Sequence, residues 1–460
     1  MTSREMVVIG GGLAGITAAA ALRDAGLGVT LLESRPRLGG AATSFARGPM
    51  MIDNGQHVFL RCCAAYRDLL ARLGGTESVV IQDRFDVTVL SPDGRARLRR
   101  TALPSPLHLA AALSGYGLLS IPERARVARA ALAFRLADPS RPALDGLRLG
   151  DWLAAHGQGE RARRRLWDLF IVSALNIAGD EASVQLAATV IKTALLGAKD
   201  AADIGMASVP LGRLHATAAA DLLRRLGAQV RLGARASGIE RLPGGAFRVG
   251  LSDGSSLTAD GVVLAIPAGQ AGGLAASAGV APALASDALG YSPIVNVHVV
   301  YDRQVMTLPF AAAIDSPVQW VFDKTTQAGL ATGQYLAVSL SAADSYVEMP
   351  AAALRELFLP ALGQLFPACA SARVTDFFVT RERRATFRQG PGSGALRPVA
   401  KTSVPGLVLA GAWTDTGWPD TMEGAVRSGH NAAQELIRQA ASLALADRTA
   451  VLDTVRTALS

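Results

Sequence analysis

Short apolar runs alternate with glycine-rich turns at the start of the chain. Met6–Ile9 is apolar and rich in β-branched residues, and an alanine- and leucine-rich run leads from the glycines at 10–15 to Arg23. A second apolar run, Val29–Leu32, follows Gly26. Short apolar runs are typical of buried strands, whereas the longer run is typical of a helix. The pattern therefore predicts a strand, a tight turn, a helix and a second strand.

Strand patterns return in later parts of the chain. Alternation over Phe85–Leu98, around a Pro-Asp-Gly turn, predicts a hairpin, and the region Leu103–Leu196 is mostly helical by period. Further strands are predicted at Gln229–Leu232, Gly261–Ile266, Ile294–Tyr301, Val318–Asp323, Tyr335–Leu340, Val374–Thr380 and Gly406–Ala410, with a helix from Ala425 toward Leu436. The early strands and the strand at 261–266 favour a parallel sheet, and the runs between 290 and 390 favour an antiparallel sheet.

The stretch Leu166–Asn176 is apolar on nearly all sides. A segment of this kind is typical of a helix buried in a core, and it also suits the wall of a lipophilic tunnel. The sequence leaves both interpretations open.

The composition is that of a folded protein with a basic surface. The chain has 460 residues, of which 50% are hydrophobic, and a formal net charge of +8. No basic run is interleaved with aromatic residues, so we expect no nucleic-acid partner. An anionic membrane surface and ordinary solvated faces are the two remaining explanations of the charge.

Cysteine usage and the apolar runs bear on the compartment. Cys62, Cys63 and Cys369 form neither a disulfide framework nor a metal-ligand spacing, so we expect a reducing cytoplasm and no metal. Every long apolar stretch is broken by glycine, proline or charge, which predicts no membrane span. Glycine turns and early acids argue against a signal peptide. We expect a cytoplasmic protein with at most peripheral contact with the inner face of the membrane.

The first turn has the chemistry of a dinucleotide site. Its glycines follow the G-x-G-x-x-G spacing, and an acid ends the second strand. These glycines allow a tight turn, a close approach to a pyrophosphate at the helix N-terminus, and packing of the helix on the strand. The acid accepts a hydrogen bond from a ribose hydroxyl. A glycine motif alone also occurs in other α/β proteins, but the full unit favours a dinucleotide. The candidate contacts are Gly10, Gly12, Leu13, Ala14, Gly15 and Glu33.

A second glycine motif, Ser34-Arg-Pro-Arg-Leu-Gly-Gly40, follows directly. It resembles the second glycine motif of FAD-dependent amine oxidases and carotenoid desaturases, which implies FAD rather than NAD. Many members carry arginine after the two glycines, where this chain has Ala41, so the pyrophosphate is expected to depend on Arg37 or on backbone amides. The candidate FAD contacts are Ser34, Arg35, Gly39, Gly40 and Ala41.

A strand, a loop and a helix N-terminus come together again near residue 420. The N–H groups around Met422 and Glu423 are expected to face the pyrimidine edge of the flavin, where the helix dipole stabilises the charge of the reduced ring. Amine oxidases that tether their flavin use a C-terminal cysteine, which is missing here, so we expect noncovalent FAD. Further candidate contacts are Ala236, Gly411, Ala412, Thr421 and Met422.

The loop Asp53-Asn-Gly-Gln-His57 places polar residues between apolar neighbours. Such residues cap helices or satisfy buried backbone groups, and they also suit a polar face beside a flavin. Both interpretations have equal weight.

Four blocks together resemble the hydroxysqualene dehydroxylases of bacterial hopanoid pathways, within the amine oxidase and phytoene desaturase flavoprotein superfamily. They are the glycine fingerprint with Glu33, the loop Asp53–His57, Arg383–Phe387 and Thr416–Gly429. The resemblance runs to about Arg438 and implies an α/β protein with a discontinuous Rossmann-type FAD-binding domain and an inserted α+β substrate domain. The FAD-binding parts are expected at residues 1–75, 205–275 and 396–440, a mainly helical substrate- and membrane-facing region at 76–204, an antiparallel substrate domain at 276–395 and a tail at 441–460.

Two residues depart from the family pattern. Ala412 stands where the family usually has an aspartate that reaches the ribityl chain, and Asp420 stands where a small residue is usual. Asp415 and Asp420 are the candidates for a replacement acid.

The resemblance implies reductive removal of the allylic hydroxyl of hydroxysqualene to give squalene, with hydride from reduced flavin. An acid must protonate the departing hydroxyl, and water must be kept out. The candidates are His57, whose pKa is expected near neutrality, Asp53 and Asp420. The expected partners are the long isoprenoid substrate and a membrane surface, and the electron donor is not predicted.

Three alternatives remain because the fold does not decide the reaction. An oxidative isoprenoid desaturase transfers hydride toward the flavin. An amine oxidase needs an aromatic cage, for which Trp413 and Trp418 are the nearby candidates. A prenyl-binding escort-like protein binds no flavin, and the intact glycine motif argues against it.

Overall fold

The computed structural model describes residues 4–281 and 284–458, without the side chains of residues 285–286 and 443–458. The strands of the described residues are β1 Glu5–Ile9, β2 Gly28–Glu33, β3 Ser44–Arg47, β4 Met50–Asp53, β5 Val58–Leu60, β6 Val79–Ile81, β7 Asp86–Ser91, β8 Gly94–Arg99, β9 Ile204–Ala207, β10 Gln229–Leu232, β11 Ala236–Arg241, β12 Phe247–Leu251, β13 Ser256–Ala259, β14 Gly261–Leu264, β15 Ser292–Tyr301, β16 Phe310–Ala313, β17 Trp320–Asp323, β18 Gln334–Leu340, β19 Val374–Thr386 and β20 Leu407–Leu409.

The α-helices of the same residues are α1 Leu13–Asp24, α2 Ala64–Arg72, α3 Ala110–Ser114, α4 Ile121–Leu136, α5 Leu149–Ala155, α6 Glu160–Ala162, α7 Asp168–Leu175, α8 Val184–Val190, α9 Ala218–Arg225, α10 Ala268–Ser277, α11 Thr325–Ala328, α12 Ala351–Leu365 and α13 Met422–Ala458. π-helical turns at Arg163–Trp167, Ile191–Leu195 and Gly212–Thr217 adjoin α7, α8 and α9. Across the described residues, no helix has both the length and the apolar character needed to cross a membrane.

A five-stranded parallel sheet forms the nucleotide-binding half, with the strand order β10-β2-β1-β14-β20. Successive side chains of a strand point to opposite faces. Val8 of β1 packs in a cluster with α1, α9 and α13, whereas its neighbour Val7 packs in a cluster with α10 and the small sheet β11-β12-β13. The sheet is therefore covered on both faces, which confirms the predicted α/β class.

Helices α1 and α13 approach each other closely near their N-termini. A Cβ on Gly429 would lie 2.3 Å from the carbonyl oxygen of Ala14, so this contact admits only glycine. The Gly411 N–H, just after β20, donates a hydrogen bond to Ser428 Oγ at 2.8 Å. Both helix N-termini are thereby held at the carboxyl edge of the parallel sheet.

The second sheet has seven strands in the order β19-β15-β18-β17-β16-β7-β8. All of its pairs are antiparallel except β16 with β7. Helix α12 covers one face, where Leu354 and Phe358 share a cluster with Val297. The opposite face carries buried Asn296 and His298, and it faces the loop that follows β4.

The structure differs from the sequence pattern at three places. The predicted hairpin forms as β7 and β8, but it extends the second sheet through β16 and does not remain within a helical region. Strand β19 continues past Thr380 to Thr386, because it pairs with β15 along that length. Helix α13 continues past Leu436 to Ala458. In the first two cases a partner distant in sequence decides where the element belongs or ends.

Candidate functional site

The glycine turn after β1 is closed on one side by backbone and open on the other. A Cβ on Gly10 would lie 2.2 Å from the Ala265 carbonyl oxygen, and one on Gly15 would lie 1.8 Å from the Gly10 carbonyl oxygen. A Cβ on Gly12 would meet only the Cα of Gly40 within 4 Å, at 3.7 Å. The space beside Gly12, at the N-terminus of α1, therefore suits a phosphate group as the sequence predicts.

Glu33 is buried at the end of β2 and binds the glycine turn. Its Oε2 accepts a hydrogen bond from the Gly11 N–H at 2.7 Å, and its Oε1 accepts one from the Arg35 N–H at 2.8 Å. The Ser34 hydroxyl also donates to Oε1, at 3.2 Å. Because Oε2 accepts only the Gly11 N–H and has a second lone pair, Glu33 can hold the turn and still accept a ribose hydroxyl.

The second glycine loop is joined to the first. The Gly39 N–H donates to the Gly11 carbonyl at 2.9 Å, and Asn54 Nδ2 donates to the Ala41 carbonyl at 2.8 Å. Arg37 Nη1 donates to the hydroxyl of Thr43. Because a guanidinium has five N–H donors, Arg37 keeps donors beyond this bond, and both its side chain and the backbone N–H groups stay candidates for contacting the phosphates.

Two more predicted contacts lie at the edge near Glu33. Arg35 is exposed, and its Nη1 lies 3.5 Å from the Gly40 carbonyl oxygen. Ala236 begins β11, just after Ala234, whose N–H donates to the Glu33 carbonyl at 2.9 Å. Ala236 therefore lies on the adenosine side of the expected cofactor.

Helix α13 begins at Met422, three residues before the predicted start at Ala425. Thr421 Oγ1 accepts a hydrogen bond from the Gly424 N–H at 3.2 Å, and Met422 and Glu423 are the first helical residues. The first N–H groups of a helix have no partner within the helix. This end therefore presents donors and positive dipole to a negatively charged ring.

Where the family carries an aspartate, Ala412 contributes only its carbonyl. That carbonyl accepts a hydrogen bond from Arg397 Nη2 at 3.0 Å, and the same nitrogen donates to the Thr414 carbonyl at 2.6 Å. Arg397 is buried, which lowers the pKa of its guanidinium. Asp415 is exposed and accepts from the Gly417 N–H. The charges of Asp415 and Asp420 both oppose the lowering of the Arg397 pKa, so both candidate acids lie near this cation.

Asp53 connects three parts of the chain. Its carboxylate accepts hydrogen bonds from Ser44 Oγ at 2.7 Å, the Leu211 N–H at 3.0 Å and Gln327 Nε2 at 2.8 Å. The Lys324 ammonium lies 3.8 Å from its Oδ2. Burial raises the pKa of Asp53, and the lysine charge and these hydrogen bonds oppose the rise. With its oxygens so engaged, Asp53 is a poor proton donor and a structural connector.

His57 differs from the expectation of a pKa near neutrality. Burial, together with the charge of Lys324, lowers the pKa of His57 to about 4. The residue keeps part of its surface accessible. It makes no hydrogen bond within the described part of the chain. At neutral pH the imidazole is uncharged, and it cannot act as an imidazolium acid.

Asp420 has the properties that the other two candidates lack. Its Oδ2 accepts a hydrogen bond from the Phe387 N–H at 2.9 Å, and its own N–H donates to Gln389 Oε1 at 3.0 Å. Burial raises the pKa of Asp420 to about 6, against the opposing effects of the Phe387 N–H and the Arg397 charge. Oδ1 makes no hydrogen bond to any described residue. The carboxyl group is thus held by one oxygen, retains a proton more readily than usual, and has its other oxygen free.

Unpartnered polar atoms lie between the two sheets. Both side-chain amide atoms of Gln56 and Oδ1 of Asn296 are buried and have no hydrogen-bond partner among the described residues. Asn296 Nδ2 donates to the Asn54 carbonyl at 3.2 Å, which places the strand face beside the loop. Buried polar atoms normally have partners. A flavin ring edge carries both donors and acceptors, so the residues fit this group.

Sequence reasoning missed three residues of this region: Asn296, Lys324 and Arg397. A signal existed for Asn296, because it and His298 are polar residues at alternate positions of an otherwise apolar strand. For Lys324 and Arg397 there was no local signal, since their significance comes from partners far away in sequence.

A cavity of about 270 Å³ lies between α7 and the β16–β17 connection. Val172 and Ser173 of the apolar stretch line it, and Trp320 Nε1 donates to Ser173 Oγ at 2.7 Å. Other residues of the stretch, such as Ile171 and Leu175, are fully buried in a core cluster. The stretch thus serves partly as core and partly as cavity wall.

The two tryptophans do not form a cage. Trp413 is buried in a core cluster, and its Nε1 donates to the Ile266 carbonyl at 2.9 Å. The guanidinium of Arg427 lies over the ring of Trp418, 4.6 Å from the ring centroid. One ring belongs to the core and the other is covered by a cation, which disfavours an amine cage.

A two-sided parallel sheet, a pyrophosphate cradle with a ribose acid, and a second helix N-terminus define a dinucleotide-dependent flavoprotein. A profile of the flavin containing amine oxidoreductase family matches residues 13–437. The chain belongs to this family and is an FAD-dependent oxidoreductase, which excludes the escort-like alternative.

Two relatives and one solved structure are similar to this chain over nearly its whole length. A hydroxysqualene dehydroxylase of Rhodopseudomonas palustris is 31% identical over 441 residues, covering 94% of this chain and 98% of that protein. A 15-cis-phytoene desaturase of Narcissus pseudonarcissus is 26% identical over 458 residues, covering 94% of this chain and 79% of that protein. The solved structure of cyclohexylamine oxidase from Brevibacterium oxydans superposes with a TM-score of 0.69 at 20% identity, covering 95% and 99% of the two chains. This last similarity concerns the fold alone.

Proposed function

We propose that the protein reductively removes the allylic hydroxyl of hydroxysqualene, releasing squalene and water. Relatives that share nearly the whole chain carry the name hydroxysqualene dehydroxylase. The observation that carries the proposal is Asp420, a half-buried carboxyl group whose pKa is raised to about 6 and whose Oδ1 has no hydrogen-bond partner among the described residues. A reductive dehydroxylation needs such an acid because hydroxide is a poor leaving group.

Asp420 acts as the proton donor. Its proton passes from Oδ1 to the hydroxyl oxygen as the carbon–oxygen bond breaks, and the group departs as water. Reduced FAD supplies the hydride that replaces the hydroxyl, so one hydride and one proton are consumed for each squalene and each water formed. The Phe387 N–H stabilises the Asp420 carboxylate that remains, and the nearby charge of Arg397 acts in the same direction.

In the proposed reaction, apolar side chains shield the allylic cation from bulk water. Candidates are Leu169, Val172 and Ile314, which share the lining of the cavity beside α7 with the charged residues Arg164, Asp168 and Asp315. Exclusion of water is required because water would add to the cation and restore the alcohol.

Oxidative desaturation of an isoprenoid is the second candidate. Its support is the similarity to a phytoene desaturase over 94% of this chain. In that reaction hydride leaves the substrate for oxidised flavin, and a base, not an acid, takes the proton. Dehydroxylation therefore needs reduced flavin at the start, whereas desaturation needs oxidised flavin.

The test is a single anaerobic turnover with purified holoenzyme. Flavin reduced beforehand is mixed with hydroxysqualene, and squalene and the flavin absorbance are followed together. Squalene formed in step with flavin reoxidation is the expected result. Reduced flavin that persists without squalene contradicts the proposal, and reduction of the oxidised enzyme by an isoprenoid hydrocarbon would assign the desaturase reaction instead.

A further inference from the structure

Helix α4 turns an apolar face outward. Its buried residues are Val127, Ala130 and Phe134. On the outer side, Ile121 is 74% exposed, Leu132 is 56% exposed and Leu136 is 78% exposed. Because a helix repeats about every 3.6 residues, these three side chains lie along one stripe. The helix is therefore apolar on both faces, unlike an ordinary surface helix.

A second apolar segment lies beside the C-terminal end of α4. Leu103 is 50% exposed and Leu107 is 55% exposed. Between them, Ser105 Oγ donates to the Leu196 carbonyl at 2.9 Å, and the Lys192 ammonium donates to the Ala137 carbonyl. Residues 192 and 196 are one helical turn apart, so this loop and the end of α4 are neighbours. We call the five exposed side chains Leu103, Leu107, Ile121, Leu132 and Leu136 the α4 patch.

Basic residues flank this patch. Helix α4 contains Arg124, Arg126, Arg129 and Arg135, and its sole acid is Glu123. Glu123 is occupied in the helix cap, where its carboxylate accepts from the Ser120 N–H at 2.7 Å. The exposed guanidinium groups of the helix therefore keep their charge available to an external partner.

We propose that α4 is an interfacial membrane helix, which lies in the plane of an anionic bilayer with the α4 patch among the acyl chains and its arginines at the lipid phosphates. An apolar stripe with arginines at its borders is the pattern of helices that lie on a membrane without crossing it. Surface arginines gain affinity from the negative potential of anionic lipids. The inference holds whichever isoprenoid reaction the enzyme catalyses.

Charge argues for a bilayer over a second copy of the chain. A symmetric dimer through this face would bring the α4 arginines of one protomer toward those of its partner. No carboxylate of α4 other than the capped Glu123 is present to oppose them. Anionic lipid headgroups supply the complementary charge and the acyl chains supply the apolar environment.

The experiment is flotation of the holoenzyme with phosphatidylcholine vesicles, with and without phosphatidylglycerol, at low and high salt. We expect binding to the anionic vesicles to be at least about tenfold tighter, and to weaken with salt. The triple variant Ile121→Ser, Leu132→Ser, Leu136→Ser should weaken anionic binding by about tenfold or more. The matched control is Val80→Ser with Val399→Ser, since these side chains are 60% and 58% exposed elsewhere, and it should bind like wild type.

A second variant tests the charge separately. The double variant Arg126→Gln, Arg135→Gln should bind anionic vesicles about tenfold more weakly than wild type does. Its binding to neutral vesicles should be unchanged. Equal binding of wild type to both vesicle types, or unchanged binding of both α4 variants, would overturn the proposal. So would a concentration-dependent dimer that the serine variant abolishes, because that result assigns the face to a second copy. None of these readouts depends on turnover, so a failed dehydroxylation assay leaves them intact.

Discussion

The Phe387 N–H donates a hydrogen bond to Asp420 Oδ2 at 2.9 Å. Phe387 follows β19 of the second sheet, and Asp420 precedes α13 of the nucleotide-binding half. This contact fixes the carboxyl group where the two halves of the protein meet, with Oδ1 left free. Burial then raises the pKa of Asp420 to about 6.

Asp420→Asn should keep bound FAD and lose about 100-fold or more in kcat/KM for squalene formation, because the amide cannot donate a proton to the leaving hydroxyl. In wild type the protonated form is the active one, so kcat/KM should fall as the pH rises through about 6. The measurement is single-turnover squalene formation across pH. An unchanged pH profile in the variant would remove Asp420 from the proton transfer.

The same substitution should not destabilise the protein at high pH. A carboxyl group whose pKa is raised in the folded state favours folding less once the pH exceeds that pKa. Asparagine removes this charge, so Asp420→Asn should unfold at the same or a higher temperature than wild type at pH 8. Thermal unfolding of both proteins decides this, and it separates lost catalysis from lost folding.

Asp53→Ala should destabilise the protein by about 3 kcal/mol or more, because it leaves the buried Lys324 without its partner and removes the acceptor for Ser44, Leu211 and Gln327. Lys324→Met is the control, and it should lower the free energy of unfolding by less, since Asp53 keeps its three hydrogen bonds. Urea unfolding of both variants measures the difference. A larger loss in Lys324→Met would contradict the connecting role of Asp53.

Gly429→Ala should destabilise the protein by about 2 kcal/mol and weaken FAD binding, because the new Cβ meets backbone of α1. The matched control is Gly273→Ala in α10, where a Cβ would have no atom within 4 Å. That change should stabilise by up to about 1 kcal/mol through helix propensity. If both substitutions have the same effect on unfolding, the close approach of α1 and α13 is not the constraint.

Glu33→Ala should weaken FAD affinity by about 30-fold, which corresponds to about 2 kcal/mol for the lost charged acceptor. Ser34→Ala removes only a hydroxyl that donates to the same carboxylate at 3.2 Å, and it should change the affinity much less. Titration of the apoprotein with FAD by flavin fluorescence gives both values. Equal affinities for wild type and Glu33→Ala would contradict a role of this acid in the cofactor site.

His57→Ala should remain yellow and turn over more slowly, because its polar loop Asp53–His57 is expected beside the flavin. Its stability should also respond to pH. The pKa of His57 is about 4 in the folded protein, against an ordinary histidine value of 6.5, so the unfolded state binds the proton first as the pH falls. Between these values, wild type should lose about 1.4 kcal/mol per pH unit relative to the variant. Wild-type turnover in His57→Ala would remove the residue from the mechanism.

The nucleotide-binding half was largely predictable. Strands β1 and β2, helix α1 and the acid Glu33 form where the apolar runs and glycines place them. Each of these features depends on contacts between neighbouring segments, such as Gly15 against the Gly10 carbonyl. Hairpin β7–β8 was also recognisable, but its place at the edge of the second sheet was not, because that depends on β16.

The catalytic candidates could not be ranked from the sequence. His57, Asp53 and Asp420 looked equivalent as polar residues beside flavin-binding motifs. Distant residues separate them: Lys324 and burial hold His57 uncharged, Gln327 and Leu211 occupy Asp53, and Phe387 anchors one oxygen of Asp420. No local sequence pattern indicates which distant residues will be these partners.

By itself, the sequence determined the fold class and the dinucleotide cradle, because glycine spacing and apolar period depend on contacts between residues close in sequence. FAD rather than NAD was implied by the resemblance of the second glycine motif to that of known flavoproteins. Tertiary structure alone decided which acid has a free oxygen and a raised pKa, and which face of α4 points outward. A pKa depends on all the charges and surfaces that surround a group. In Asp420 and in α4, those surroundings come from segments that only the folded chain brings together.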